Sequence, residues 1–504
     1  MQRRLIISVV FSILLVGIFT VSGNTAELPY WPGDDWRTST PEAQGIDAKP
    51  LAELLETIRA RGINLHSLLV IRHGYLVAEA YFDPFRSDMR HALYSCTKSV
   101  TSSLVGIAVK EGYIQSIEQK LLLFFPEETA GMDDKLKAQI TLKHLLTMTT
   151  GGLKIGTSQE LLTMENPVAY ILSRPMHAEP GREFVYNNAG PHLLSAIIKK
   201  TTPSCDTLFY AMEKLFTPLG IKWVVWPADE EGVAVGSAGL SLTPREMAKF
   251  GYLYLQDGVW NGKQIVPTAW VKDSVRKQAD VKPAMNDAEN YGYGYFWWVD
   301  SYGGFSAHGT AGQYIFVVPR LDLVAVFTAG LSNADFPLPR KFMESHILPA
   351  VKQAGALPIN QEANQRLDRI IRELAHPEAA AVSDIPPAAQ AVLGKLYVFP
   401  DKNIFDLRSL ALTGIDNREA RFRLEFVSAP GRFVNAAVGL DNLYRQADRM
   451  DLFLFMKGQW VDDHTLAIKM VSASEEFTLR IAFMGDRMEI EITETGQISV
   501  GFMR

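Results

Sequence analysis

The sequence predicts an α+β protein, an antiparallel sheet flanked by helices with a helical subdomain, followed by a small all-β domain. Three observations predict it. Strand-like segments stand near both ends of the first 350 residues, at 65–80 and 291–329, with helical periodicity between them. Strands that bracket helices in this way do not make the repeated strand–helix–strand units of a parallel sheet. Beyond a Pro- and Ala-rich stretch the pattern turns to alternating charged and apolar residues, as in Arg487-Met-Glu-Ile-Glu-Ile-Thr493.

The elements follow in order. Arg3 and Arg4 precede an uncharged stretch from Leu5 to Val21, and the small residues Ser22, Gly23 and Ala26 come next. That is the layout of a secretory signal peptide, assigned to residues 1–26 with cleavage near 23–26. The expected location is periplasmic or secreted. The apolar run is slightly long for a signal, so an uncleaved segment anchoring the protein to the membrane is the alternative. No later segment is long and apolar enough to span a bilayer.

Leu65 to Ala80 reads as a hairpin turning at His73-Gly74. Val100, Leu104, Ile107 and Ala108 recur at helical spacing and stop at Gly112, which marks one helix opened by Ser95. Helical material continues to Leu219, broken by loops at Gly151-Gly152 and Pro180-Gly181. Tyr291-Gly-Tyr-Gly-Tyr-Phe-Trp-Trp-Val299 reads as a strand, with Tyr291, Tyr293, Tyr295 and Trp297 on one face. Gln313 to Ala329 is again strand-like. Residues 36–355 form the expected main domain, 356–390 a helix and linker, and 391–504 the β-rich domain. In the last, Gly485-Asp486 supplies a tight turn and Arg421 to Val427 a further alternating run. No catalytic motif stands out there.

At 504 residues two domains are the natural reading. The net charge of −6 and the lack of a basic tract exclude a general nucleic-acid binder. Cys96 and Cys205 are the only cysteines and are expected to be two buried free thiols. No His-Glu-x-x-His occurs, and two cysteines cannot make the usual zinc site, so neither metal nor cofactor is expected.

Ser95-Cys96-Thr97-Lys98 carries the chemistry. Three residues apart on a helix, Ser95 and Lys98 share a face, so a lysine can take the hydroxyl proton while the helix N-terminus favours an oxyanion. A second Ser-x-x-Lys, Ser274 to Lys277, lacks an apolar frame and is expected to be a solvated helix turn. Tyr186-Asn187-Asn188 is the single Tyr-x-Asn of the chain and follows the turn Pro180-Gly181. Lys98 and Tyr186 are the available bases. Free Lys and Tyr titrate near ~10, so either must be perturbed to serve, and the sequence leaves open which holds the proton. His308-Gly309-Thr310-Ala311 leads into an apolar strand, and the N–H near Ala311 with that of Ser95 can form an oxyanion hole.

These motifs, in this order, resemble the class C β-lactamase-like serine hydrolases over residues 36–345. Further segments carry the resemblance. They are Ile140-Thr-Leu-Lys-His-Leu-Leu-Thr-Met-Thr-Thr-Gly-Gly152, Glu179-Pro-Gly-Arg-Glu-Phe-Val-Tyr-Asn-Asn188, Phe216-Thr-Pro-Leu-Gly220, Ala238-Gly-Leu-Ser-Leu-Thr-Pro244 and Asp257-Gly-Val-Trp-Asn-Gly-Lys263. The resemblance implies the sheet-and-helices fold of β-lactamases and penicillin-binding proteins. It also implies Ser95 as acylated nucleophile, Lys98 as base or relay, Tyr186 as general base and acid, and Asn188 as a substrate contact. His308, Gly309, Thr310 and Ala311 fall where relatives bind substrate, His308 in place of the lysine of Lys-Thr-Gly. That order departs from the β-lactamase pattern, and Gly312-Gln313 resembles the esterase and 6-aminohexanoate-dimer hydrolase branches instead. The implied activity is hydrolysis of a small ester or amide. A true β-lactamase or D-Ala-D-Ala carboxypeptidase is one alternative, and a non-catalytic cell-wall-binding or sensor protein is the other.

Overall fold

The computed structural model describes residues 30–33, 35–281, 290–382, 384–447, 454–472 and 476–503. The segment assigned to the signal lies outside them. Seven strands form the main sheet: β1 (Leu65–Arg72), β2 (Tyr75–Tyr81), β3 (Asn290–Tyr293), β4 (Trp298–Asp300), β5 (Phe305–Gly309), β6 (Gln313–Val318) and β7 (Leu323–Ala329). Their order is β2-β1-β7-β6-β5-β4-β3, with every neighbouring pair antiparallel. The β1–β2 hairpin turns through His73 and Gly74, with φ of 51° and 72°. Two left-handed residues are what a two-residue hairpin loop matching strand twist requires.

Both faces of the sheet are covered, which is why β1, β6 and β7 are buried along their whole lengths. One face carries α1 (Ala48–Ala60) and the other carries α2 (Thr97–Lys110), α3 (Ala189–Thr201) and α4 (Pro244–Leu255) with the helical region around them. Helix α4 starts on a capping box of Thr243 and Glu246 with Pro244 in its first turn. Its Gly251 sits on Ile315 and Val324, where an added Cβ would stand 2.8 Å from both side chains. In α2 nearly every residue is buried, and each fully buried Val or Leu there contributes about 1.5–3 kcal/mol. Gly106 in its middle lies under the Trp270 ring, 2.4 Å from where a Cβ would be. Alanine there gains about 1 kcal/mol of helix propensity, which the ~1–3 kcal/mol of overpacking outweighs.

A further helix, α5 (Gln361–Ala375), buries Ala363, Leu367, Ile370 and Leu374 on the α1 face, and Arg366 pairs with Glu56 of α1. The 363, 367, 370, 374 spacing makes one apolar stripe, with which this helix packs into the layer over the sheet. Two expectations are corrected. The run 291–299 is not one strand but the hairpin β3–β4, turning near Phe296 at φ 64°, and it pairs Tyr293 with Trp298. Ser274 is buried at the end of a short helix, its hydroxyl donating to Val271 O, and is not solvated.

The C-terminal region is a β-barrel. Beside a two-residue strand at Arg445–Gln446, its strands are β8 (Leu396–Val398), β9 (Leu407–Ile415), β10 (Glu419–Phe426), β11 (Phe433–Gly439), β12 (Phe455–Trp460), β13 (Thr465–Val471), β14 (Glu476–Met484), β15 (Arg487–Ile492) and β16 (Gln497–Met503). They run β11-β10-β9-β8-β16-β15-β14-β13-β12, and β12 returns to β11 through Gly439 and Lys457. Nine antiparallel neighbours cannot close with alternating directions, so the closing contact is parallel. Gly485 at φ 67° makes the β14–β15 turn expected from Gly485-Asp486. Phe455 and Val471 of the barrel meet Phe85 and Met89 of the main domain in a small apolar cluster. Among the described residues no helix is long and apolar enough to cross a membrane.

Candidate active site

The approach to Ser95 is built by close backbone contacts. Leu93 N–H bonds Leu240 O, Tyr94 takes φ 46°, and Ser95 lies in a short 3₁₀ turn that runs directly into α2. Gly309 on β5 lies so near Leu93 that a Cβ would meet its carbonyl oxygen at 2.2 Å. Cys96 points inward, its thiol on Gln313 O at 3.4 Å, and burial pushes that thiol well up, so it stays protonated. Cys205 is free but exposed, correcting half of the expectation for the thiols.

Lys98 Nζ reaches three oxygens: Ser95 Oγ at 2.8 Å, Asn188 Oδ1 at 2.9 Å and Ser237 O at 2.9 Å. The side chain is 1% exposed, and burial lowers its pKa to about 7. Three acceptors satisfy an ammonium. They equally suit the neutral amine, which donates to Asn188 and Ser237 and turns its lone pair toward the Ser95 hydroxyl. Tyr186 hydrogen-bonds Ser95, and its ring centroid is 4.9 Å from Lys98 Nζ. Burial holds its phenol well above the ordinary value despite that bond, so near neutral pH the phenol keeps its proton.

The Tyr-x-Asn segment divides its work. Asn187 Oδ1 accepts from Ala189 N and Gly190 N at the start of α3, leaving Asn188 to face Lys98. Behind Tyr186 stand Trp298, stacked at 5.9 Å, and Tyr293, edge-on at 6.2 Å. Ser95 opens into a cavity of about 460 Å³ that Asn188 and Thr310 also line, with Ser158, Leu162, Val235 and Ala238. Ser158 and Ser237 join hydroxyls at 2.9 Å across its wall.

The segment 308–311 divides as well. Thr310 lines the cavity, and Ala311 turns the chain at φ 61° while Leu331 N–H takes its carbonyl. His308 does not line it. Alternate residues of a strand point to opposite faces, so with Ala307 toward the α2 side, His308 points to the α1 side. There it stacks on Trp298 at 5.1 Å and hydrogen-bonds Ser306 Oγ at 2.8 Å and Arg340 Nη2 at 3.2 Å. Arg340 pairs with buried Asp300 at 2.8 Å. Burial, with the guanidinium beside it, drives the imidazole pKa well below 6.5, so His308 is neutral. The residues that sequence reasoning missed are Ser237 and the Trp298–Tyr293 pair.

The Beta-lactamase family model matches residues 51–349, more than half of the chain. This protein belongs to the beta-lactamase family. Among its relatives, a 6-aminohexanoate-dimer hydrolase of Paenarthrobacter ureafaciens is 26% identical over 293 residues, covering 53% of this chain and 73% of that one. A beta-lactamase of Escherichia coli strain K12 is 31% identical over 157 residues, 30% of this chain and 40% of that one. The crystal structure of SurE shares the fold over 90% of this chain and 98% of its own, with 16% identity and a TM-score of 0.50. The family match covers the expected α+β main domain, and the structure adds the separate β domain beyond residue 349.

Proposed function

We propose that the protein is an exported serine hydrolase that cleaves small esters or linear amides through an acyl-enzyme on Ser95. The observation that carries this reading is the 2.8 Å contact between Ser95 Oγ and a buried lysine whose pKa burial lowers to about 7. A general base is most effective with a pKa near the working pH. In the proposed cycle Lys98 takes the Ser95 proton as Oγ adds to the substrate carbonyl. The backbone N–H groups of Ser95 and Ala311 hold the oxyanion. Tyr186, protonated and bonded to Ser95, gives its proton to the leaving group as the carbonyl–heteroatom bond breaks, and the Lys98 ammonium re-protonates it. Water then adds to the acyl carbon, losing its proton to the Lys98 amine, and Ser95 Oγ leaves with a proton returned. Asn188 contacts the substrate from the cavity wall.

Small linear amides are included because a 26% identical relative is named for such a dimer. Neutral His308 on the far face of β5 supplies no cation for a β-lactam carboxylate, which favours this reading over a β-lactamase or carboxypeptidase. The test is intact-protein mass spectrometry after a fluorophosphonate and a panel of esters and amides. A single adduct on Ser95, absent in Ser95→Ala and kept in Ser274→Ala, is the expected result. Turnover that survives Ser95→Ala would refute the reading, and a protein that never acylates would be a binder.

A further inference from the structure

The C-terminal barrel is not packed solid. It holds a cavity of about 220 Å³, and the fifteen described residues that line it are all apolar. From this we infer that the barrel is a binding site for one unbranched alkyl or acyl chain of medium length. The inference is independent of the chemistry proposed at Ser95.

The lining of the cavity carries the argument. Its buried end is formed by Phe422, Ala436 and Ile481, and it runs to Leu424, Phe426 and Leu479, which are partly exposed. Phe422, Leu424 and Phe426 alternate along β10, so they mark an inward face about 13 Å long at ~3.4 Å per residue. A 220 Å³ space along such a face suits one slender apolar guest. About ten methylenes, advancing a little under one C–C bond length each, fill it end to end.

The same features argue against a mere packing fault. Protein interiors leave few voids larger than a water, and an empty void costs stability in proportion to its volume. An apolar cavity of about 150 Å³ already stays dry and takes up a benzene-sized guest. Here the space is larger, is reached through a partly exposed apolar mouth, and offers no polar side chain among the described residues to hold water. A barrel of this strand number also has room for one small ligand. With no charged group in the wall, the head group of the guest stays at the mouth and recognition rests on the chain.

Isothermal titration calorimetry of the full-length protein with 1-hexanol, 1-octanol, 1-decanol and 1-tetradecanol tests this. Each added methylene should tighten binding about fourfold up to roughly ten carbons, and the gain should then stop. Ala436→Phe, which places a ring in the buried end, should weaken decanol binding at least tenfold. If that variant fails to fold by circular dichroism, Ala436→Leu should shift the chain-length limit down by about two carbons. Ser95→Ala should bind the series as the parent does. Absence of binding, affinity indifferent to chain length, or affinity unchanged in the cavity-filling variants would overturn the inference. So would loss of binding in Ser95→Ala, because the chain would then occupy the Ser95 cavity.

Discussion

Trp298 lies against Tyr186, ring centroids 5.9 Å apart and planes 22° from parallel, and its other neighbour in the stack is His308 at 5.1 Å. The phenol that bonds Ser95 is therefore held by the β3–β4 hairpin and, through it, by the buried His308–Arg340–Asp300 group. This gives the aromatic hairpin and the misdirected histidine one positioning role. Trp298→Phe keeps an aromatic face but narrows the support. It should lower kcat about tenfold with KM little changed, since small misplacements of a reacting group are costly. Steady-state kinetics with p-nitrophenyl butyrate checks it, and an unchanged kcat would detach the stack from function.

On the proposed mechanism the rate should rise with pH through about 7, the value to which burial lowers Lys98, because the free amine is the form that would accept the serine proton. Below that value the ammonium predominates and the base is lost. A pH profile of kcat/KM should show one ascending limb with an apparent pKa near 7 that belongs to the Lys98–Tyr186–Ser95 group as a unit. Tyr186→Phe should reduce the rate about a hundredfold or more while leaving that limb in place, since it removes the proton donor and not the base. If the limb disappears in Tyr186→Phe, the two roles are reversed.

Burying Lys98 also destabilises the fold near neutral pH. Its folded pKa of about 7 lies below the usual lysine value, so between the two the unfolded chain binds the extra proton. Stability contributed by this group consequently rises with pH across that window. Lys98→Met should raise Tm, and more at pH 7 than at pH 10, while abolishing turnover. A variant that loses Tm at both pH values would mean that the three oxygens around Nζ outweigh desolvation.

Three of the four buried histidines bear on the acid side. His66, His91 and His308 are all pushed below 6.5 by burial, His91 to about 4. Above pH 6.5 they are neutral in both states and cost nothing. Below it the unfolded chain takes up protons that the native state refuses, and stability falls by about 1.4 kcal/mol per pH unit for each. Thermal unfolding should show Tm dropping steeply between pH 6.5 and pH 4.5. His66→Phe should flatten that slope by about a third, its flat stacking on Phe85 giving room for another ring.

What the sequence revealed and what it hid follow from how far each feature reaches. Helix α2, the hairpin at His73-Gly74 and the strands of the barrel are written in local periodicity and turn residues. Ser95, Lys98, Tyr186 and Asn188 were legible because each contributes a side-chain group that few residue types can supply. Ser237 contributes a carbonyl, which every residue has, so nothing in its identity points to Lys98. Direction was hidden too: which face His308 takes depends on the register of β5 against β6, where it pairs with Tyr314. The hairpin at 291–299 turns on Phe296, a residue that seldom adopts positive φ, and its aromatic run gives no polar alternation to break. Barrel closure rests on a pairing between strands distant from a turn, Gly439 with Lys457, which no local signal announces.

Substrate preference follows from the placement of His308. A β-lactam presents a carboxylate, and a cation facing it from β5 would form a charge-assisted hydrogen bond. Here the nearest candidate is neutral and turned to the opposite face, with Arg340 behind it already paired to Asp300. The missing bond is worth about 1.5–3 kcal/mol, or about ten- to a hundredfold in specificity. His308→Lys should not restore it, because the new ammonium would be buried beside Arg340. Measured on one preparation, kcat/KM for p-nitrophenyl butyrate should exceed that for nitrocefin, and EDTA should alter neither. If nitrocefin is the better substrate by tenfold or more, another group in the cavity reads the carboxylate and the β-lactamase reading replaces the one proposed.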